Sequence, residues 1–267
     1  MADPVAGVVA GSTRLTVVGS GDAFGGRGCN AAYLVDDRVL IDCGAPVHAL
    51  LPRIGMDVAS LDLVLVTHFH ADHVVMLPIL LGARAFGDEP RAGLTIAGPV
   101  GTREYVLGLL HAGYGRHLLD LVQERVQPRW VVLQDGSSAS LVGYTVGAHA
   151  VVHSTGPSLA YTVQRDGGAV IGFSGDSTLC AGLRRIVAAS DLMVCECSGW
   201  TAPTEGGHLW RGEIEQLIAE YPQTRFMLTH MRARGPLPGA IIAHDMLSVD
   251  VSAAVPSGDG GHDRATA

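Results

Sequence analysis

The chain has 267 residues, a formal net charge of −8, and a composition of 48% hydrophobic and 16% charged residues. That length allows a substantial core, and that balance excludes an intrinsically disordered protein. All 18 basic residues are arginine, and the acidic total excludes a surface field that attracts nucleic acid globally, leaving a local patch as the only route to such binding.

A first strand is expected over 14–18, stopped by Gly19-Ser20-Gly21, and a glycine-rich loop runs on to Gly28. Residues 31–35 and 38–42 read as a hairpin turning at Asp36-Asp37. Helical spacing over 45–54 is followed by an apolar strand over 62–66 and a helix over 76–86. A strand over 94–97 leads to Gly98-Pro99, read as the opening of another helix. The second half is written in the same style. It has strands over 130–133, 144–152 and 160–164, and an Asp166-Gly167 turn into a strand over 169–173. A helix over 179–189, a strand over 192–195, a helix over 212–220, a strand over 225–228 and a last helix over 237–246 follow. Beyond Val255 the polar, glycine-rich tail of residues 256–267 is expected to be disordered. No fixed-period repeat or low-complexity linker divides the chain. The pattern implies one α/β domain over 1–255, two sheets face to face with helices on both outer sides.

No basic stretch followed by an apolar run opens the sequence, and no apolar stretch has the length of a membrane span. The five cysteines (29, 43, 180, 195 and 197) are odd in number and include no CxxC pair. Reduced thiols and a cytoplasmic location are expected.

The chemistry concentrates in Thr67-His68-Phe69-His70-Ala71-Asp72-His73, directly after the apolar run Leu63-Val64-Leu65-Val66. A strand that stops abruptly projects the next side chains from the sheet edge. His68 and His70 alternate and can share one metal, while Asp72 and His73 turn toward a second. Imidazole and carboxylate are donors that zinc takes. Further donors stand at other strand ends: His153, Asp176 and His230. His149 is an alternative to His153. Cys195 and Cys197 share one strand face, where core packing is expected rather than a thiolate site. The run GSGDAFGGRG lacks both GxGxxG spacing and a phosphate-loop lysine, so it reads as a turn beside the metal site.

These stretches resemble the metallo-β-lactamase fold superfamily, and within it the ribonuclease Z-like, phosphodiesterase-like branch. VGSGDAFGGRGCNAAYLV, VLIDCGAP, LVTHFHADHVVMLPILL, LTIAGPVGTREYV, FSGDST, CECSGW, GHLW and MLTHMRARG match its landmarks in order, from Val18 to about Gly235. The resemblance implies a four-layer αββα sandwich and two zinc ions, with manganese or iron(II) tolerated by the same ligands. It places His68, His70 and His153 on one metal, Asp72, His73 and His230 on the other, and Asp176 between them. His208 resembles the leaving-group histidine of the branch, Glu196 its acidic partner, and Arg234 an arginine that contacts phosphate.

The resemblance also implies a reaction. A bridging hydroxide attacks phosphorus or a carbonyl carbon, Asp72 orients it or accepts its proton, and His208 protonates the departing oxygen. Transfer-RNA nucleases of the branch carry a long arm, commonly between the third-motif histidine and the bridging aspartate. Here only one hairpin separates His153 from Asp176, so transfer-RNA processing and nucleic-acid partners are disfavoured. The first expectation is hydrolysis of a small phosphodiester. The alternative is a carboxylic ester, lactone, thioester or sulfate ester, and a degenerate binding protein is a third reading. The pocket wall is expected from residues 25–30, the region after Gly113 and residues 200–210. No membrane partner is expected, and a homodimer is compatible with the sequence.

Overall fold

In the computed structural model, residues 11–87, 91–204 and 206–253 are described; the tail expected to be disordered lies outside them. The first half of the chain forms β1 (Ser12–Gly19), β2 (Ala32–Val35), β3 (Val39–Ile41), α1 (Val47–Leu50), β4 (Leu63–Leu65), α2 (Ala71–Val74), α3 (Leu77–Phe86), β5 (Thr95–Gly98), α4 (Thr102–Arg125) and β6 (Arg129–Val132). The second half adds β7 (Ser137–Leu141), β8 (Tyr144–Val151), β9 (Ser158–Arg165), β10 (Val170–Phe173), α5 (Ala181–Ala188), β11 (Leu192–Glu196), α6 (Arg211–Glu220), β12 (Arg225–Thr229), β13 (Ala240–Ile242) and β14 (Leu247–Ser252).

These strands make two seven-stranded sheets, ordered β14-β1-β2-β3-β4-β5-β6 and β13-β12-β11-β10-β9-β8-β7. In each sheet one half is antiparallel and the other is parallel: β3 to β6 in the first, β10 to β13 in the second. Strand alternation divides the side chains between layers. Leu63 and Leu65 of β4 face between the sheets with Phe173, Val194 and Met227 of the second sheet. Val64, between them, faces outward onto Leu77 and Leu81 of α3 and Val106 and Leu110 of α4. On the other side Met193, Cys195, Phe226 and Leu228 pack against Leu183 and Ile186 of α5 and Ile214 and Leu217 of α6. Each fully buried side chain of this size contributes about 1.5–3 kcal/mol. The result is the expected αββα sandwich.

Some expectations give way. Residues 237–246 are not a helix: Pro238 and Gly239 (φ 83°) interrupt them, and β13 pairs in parallel with β12 instead. β14 then closes the first sheet against β1, with Leu247 and Val249 partly buried and Val251 buried. Gly98-Pro99 ends β5 without opening a helix; α4 begins at Thr102, whose hydroxyl donates to the Pro99 carbonyl. Residues 45–54 form one α-turn and then a 3-10 turn at Pro52. All five cysteines are free, and Cys195 and Cys197 both lie in the outer core beneath α5 and α6. Among the described residues no helix is long and apolar enough to cross a membrane.

Candidate metal centre

The parallel strands of both sheets deliver their ends to one rim, the place where α/β sheets present chemistry. Beyond β4 come His68 and His70, and His70 opens the short helix α2 that carries Asp72 and His73. His153 follows β8, Asp176 follows β10, Glu196 ends β11 and His230 follows β12. On β11, Leu192 and Val194 face between the sheets, so the two-residue period turns Glu196 the same way, toward the rim. Gly44 presses against α2 so closely that a β-carbon there would lie 1.6 Å from the Asp72 carbonyl. The Cys43 amide also donates to the His73 carbonyl. This contact makes the VLIDCGAP stretch a brace for the metal loop.

The donor atoms of His68, His70, His153 and Asp176 lie within 4.8 Å of one another, and so do those of Asp72, His73, Asp176 and His230. The two groups share Asp176, which is 2% exposed. His149, the alternative to His153, lies elsewhere, beside Asp135 and Arg185.

The outer nitrogens of the histidines are already used. His73 Nδ1 donates to Asp42 Oδ2 at 2.7 Å, and His153 Nδ1 donates to the Gly207 carbonyl at 3.0 Å. Thr67 Oγ1 donates to Asp42 and so accepts from His68 Nδ1. Ser198 Oγ donates to Glu196 and so accepts from His230 Nδ1. In the neutral ring, each of these bonds fixes the tautomer that leaves Nε2 as a lone-pair donor toward the centre. Nε2 of His68 and His73 and Oδ1 of Asp176 are buried without a hydrogen-bond partner. Orphaned donors in such a place fit divalent cations, and imidazole with carboxylate suits zinc, manganese or iron(II).

Charge tells the same story. Burial drives the His68 pKa well below its ordinary value, so its ring is neutral and ready to ligate. Burial alone would raise Asp176, but His230, His73 and His68 hold it well below the usual carboxylate range. His73 and His230 are buried too, yet the carboxylates around them raise both.

His208 stands at the edge of this cluster, half-buried. Its Nδ1 lies 3.0 Å from Glu196 Oε1. Glu196 Oε1 also accepts from the Ser177 and Leu209 amides, and Oε2 from the Ser198 amide and hydroxyl. Burial opposes the charged His208 ring, but the bond to Glu196 and the charges of Glu196, Asp176 and Asp72 outweigh it and raise its pKa to about 9. Gly206 and Gly207, at φ 91° and 84°, supply the left-handed turn that brings His208 in, a conformation costly for other residues.

Arg234, expected to contact substrate, is engaged within the fold. Its guanidinium donates to the Ser20 and Ala243 carbonyls and the Ser20 hydroxyl, and it is absent from the cleft lining. It braces the loop beneath His230, whose amide also donates to the Ser20 carbonyl. Two residues escaped the sequence reading. Asp42, fully buried at φ 57°, holds Thr67 and His73; an aspartate straight after the apolar end of β3 was its signal. Ser198 ties Glu196, His208 and His230 together.

A cleft of about 360 Å³ opens over the cluster, lined by Ala23, Phe24, Asn30, Ala71 and Val75 beside His70, Asp72, Asp176, His208 and His230. Residues after Gly113, expected in its wall, are elsewhere: Tyr114 lines a separate groove with Phe86 and Leu118.

Fold and site together are those of a metal-dependent hydrolase. Residues 37–231 match the family model of the beta-lactamase superfamily domain, and the chain belongs to that family. It is similar to a ribonuclease Z of Methanosarcina mazei, 24% identical over an alignment of 311 residues that covers 89% of this chain and 98% of that one. The crystal structure of the metallo-beta-lactamase fold protein YhfI from Bacillus subtilis superposes with a TM-score of 0.72 at 19% identity, over 90% of this chain and 99% of that one. A diphosphatase of the PhnP family superposes with a TM-score of 0.69 at 17% identity, over 91% and 99%.

Proposed function

We propose that this protein is a dinuclear zinc-dependent hydrolase of a small phosphodiester. The observation that carries the reading is the pair of donor groups sharing Asp176, with the His208–Glu196 pair beside them in one cleft. His68, His70, His153 and Asp176 would hold one ion, and Asp72, His73, Asp176 and His230 the other. When bound, such ions supply Lewis acidity and make water a nucleophile at neutral pH.

The protein's own groups do the rest. Asp72, beside His230 Nε2 at 3.0 Å, orients the attacking water and takes its proton. Water oxygen bonds to phosphorus, the ester P–O bond breaks, and His208 gives its Nε2 proton to the departing oxygen. Glu196 holds the opposite nitrogen, so the imidazole keeps the orientation and charge that a general acid needs.

Size and charge support a small substrate. The cleft volume is that of a small-ligand site. Between His153 and Asp176 lie only β9 and β10, with no protruding arm. The alignment with the Methanosarcina ribonuclease Z is longer than this whole chain, so that relative carries inserted segments this one lacks. The chain carries a net charge of −8.

The test is turnover by metal-loaded protein of a nitrophenyl phosphodiester, the corresponding acetate and sulfate esters, and precursor transfer RNA. The phosphodiester is expected to turn over fastest. Faster turnover of a carboxylic or sulfate ester would overturn the substrate class. Salt-sensitive cleavage of the RNA would establish a nuclease instead.

A further inference from the structure

Phe24 is 91% exposed, the most exposed of the large apolar side chains described, yet it lines the cleft above the metal donors. Its position is built rather than loose. The Gly21 amide donates to the Cys29 carbonyl and closes the base of the loop. The Cys29 amide donates to Asp245, which also takes the Ser20 amide and hydroxyl. Asp22, nearly buried, accepts from Arg232 and sits against Gly25, where a β-carbon would lie 1.9 Å from its carboxylate. A braced loop of small residues thus holds out one aromatic ring at the mouth of the site.

The same cleft continues as Ala23, Ala71 and Val75, and Val75 is 43% exposed. Among the described residues no arginine lines it, and the chain has no lysine. A substrate carrying a terminal phosphate dianion would find no fixed cation on this wall. A planar, uncharged group would find a ring face and aliphatic neighbours, and aromatic stacking is favourable for such a group.

We infer that Phe24 is a specificity-determining residue. It stacks on a planar aromatic or heteroaromatic ring in the ester arm that stays on phosphorus, not in the leaving group, with Val75 packing at its edge. This deepens the proposed function and rests on it for the phosphodiester itself. The ring subsite stands on the loop geometry.

The experiment compares two substrates with the same nitrophenolate leaving group, thymidine 5′-(4-nitrophenyl phosphate) and methyl 4-nitrophenyl phosphate, on wild type, F24A and F24W. Wild type should prefer the thymidine ester, with F24A losing roughly tenfold in kcat/KM on it, mostly through KM, and less on the methyl ester. F24W should retain the preference. An equal loss on both esters, or none, would overturn the assignment. The subsite is also read by binding, so that its failure is separable from failure of the phosphodiesterase reading. The indole fluorescence added by F24W should respond to the methyl ester of thymidine 5′-monophosphate and not to dimethyl phosphate at equal concentration. An identical response to both would reject the ring subsite even in a protein that hydrolyses neither substrate.

Discussion

His73 Nδ1 lies 2.7 Å from Asp42 Oδ2, and that carboxylate also receives the amide and the hydroxyl of Thr67. One buried aspartate therefore fixes the base of the metal loop and the tautomer of a proposed ligand. Asp42 adopts a left-handed backbone, φ 57°, a region that asparagine also tolerates. Asp42→Asn thus removes charge without forcing the chain. Metal affinity should fall by about 10–100-fold, the usual effect of losing a ligand's outer partner. Competition against a chromogenic chelator measures it, and unchanged affinity would make Asp42 a loop brace only.

Asp176 belongs to both donor groups, so its loss should act on both ions. Protein purified without chelator is expected to carry about two metals per chain, the number a dinuclear site requires. Asp176→Ala should lose metal and turnover together in elemental analysis and assay. Full activity in a metal-free preparation would reject the site.

Protons and metal compete for the same nitrogens. Burial disfavours charge on His73 and His230, yet the carboxylates of Asp176, Asp42 and Asp72 raise both above the ordinary imidazole value of 6.5. A raised pKa means the proton stays on to higher pH, and a ligand nitrogen must shed it before binding. Apparent metal affinity should therefore rise with pH above 6.5, with proton release on binding, measurable by calorimetry in buffers of different ionisation enthalpy. Affinity that stays flat from about pH 6 to 9 would mean these rings are neutral already, contrary to their charged surroundings.

Most of this centre was legible because its donors sit where apolar strands stop, and a strand end is visible in sequence. His68, His70, Asp72 and His73 announce themselves by spacing. Asp176 and His230 each follow a buried strand. What hid was pairing between distant segments. β14 alternates Leu247, Ser248, Val249, Asp250 and Val251, a clear period of two, but residues 237–246 read as a helix absorbed its approach. The partner that fixes it, β1, is more than two hundred residues away. The partners of Arg234 were hidden for a similar reason. Four residues beyond a metal-type histidine it looks free to reach substrate, and only the fold shows Ser20 and Ala243 taking its guanidinium. Asp42 and Ser198 act through other side chains, and that role leaves little mark on a local motif.

The last expectation concerns the acid. Glu196 is 1% exposed and spends its two oxygens on His208, on backbone amides and on Ser198. A buried carboxylate so fully engaged holds one orientation, and through it His208 is held protonated, its pKa raised to about 9. If His208 gives its proton to the departing oxygen, His208→Ala should retain metal and lose roughly 10²–10⁴-fold in turnover of a diester with an alkoxide leaving group. With nitrophenolate, which departs without protonation, the loss should shrink. Glu196→Gln should show a milder form of the same dependence, and by nuclear magnetic resonance the His208 ring in the metal-free variant should titrate at lower pH than in wild type. The rival is structural, since Glu196, His208 and His230 also lie within 4.8 Å of one another as a donor group. Loss of metal in His208→Ala, or a rate loss independent of leaving-group pKa, would place His208 among the ligands and remove it from proton transfer.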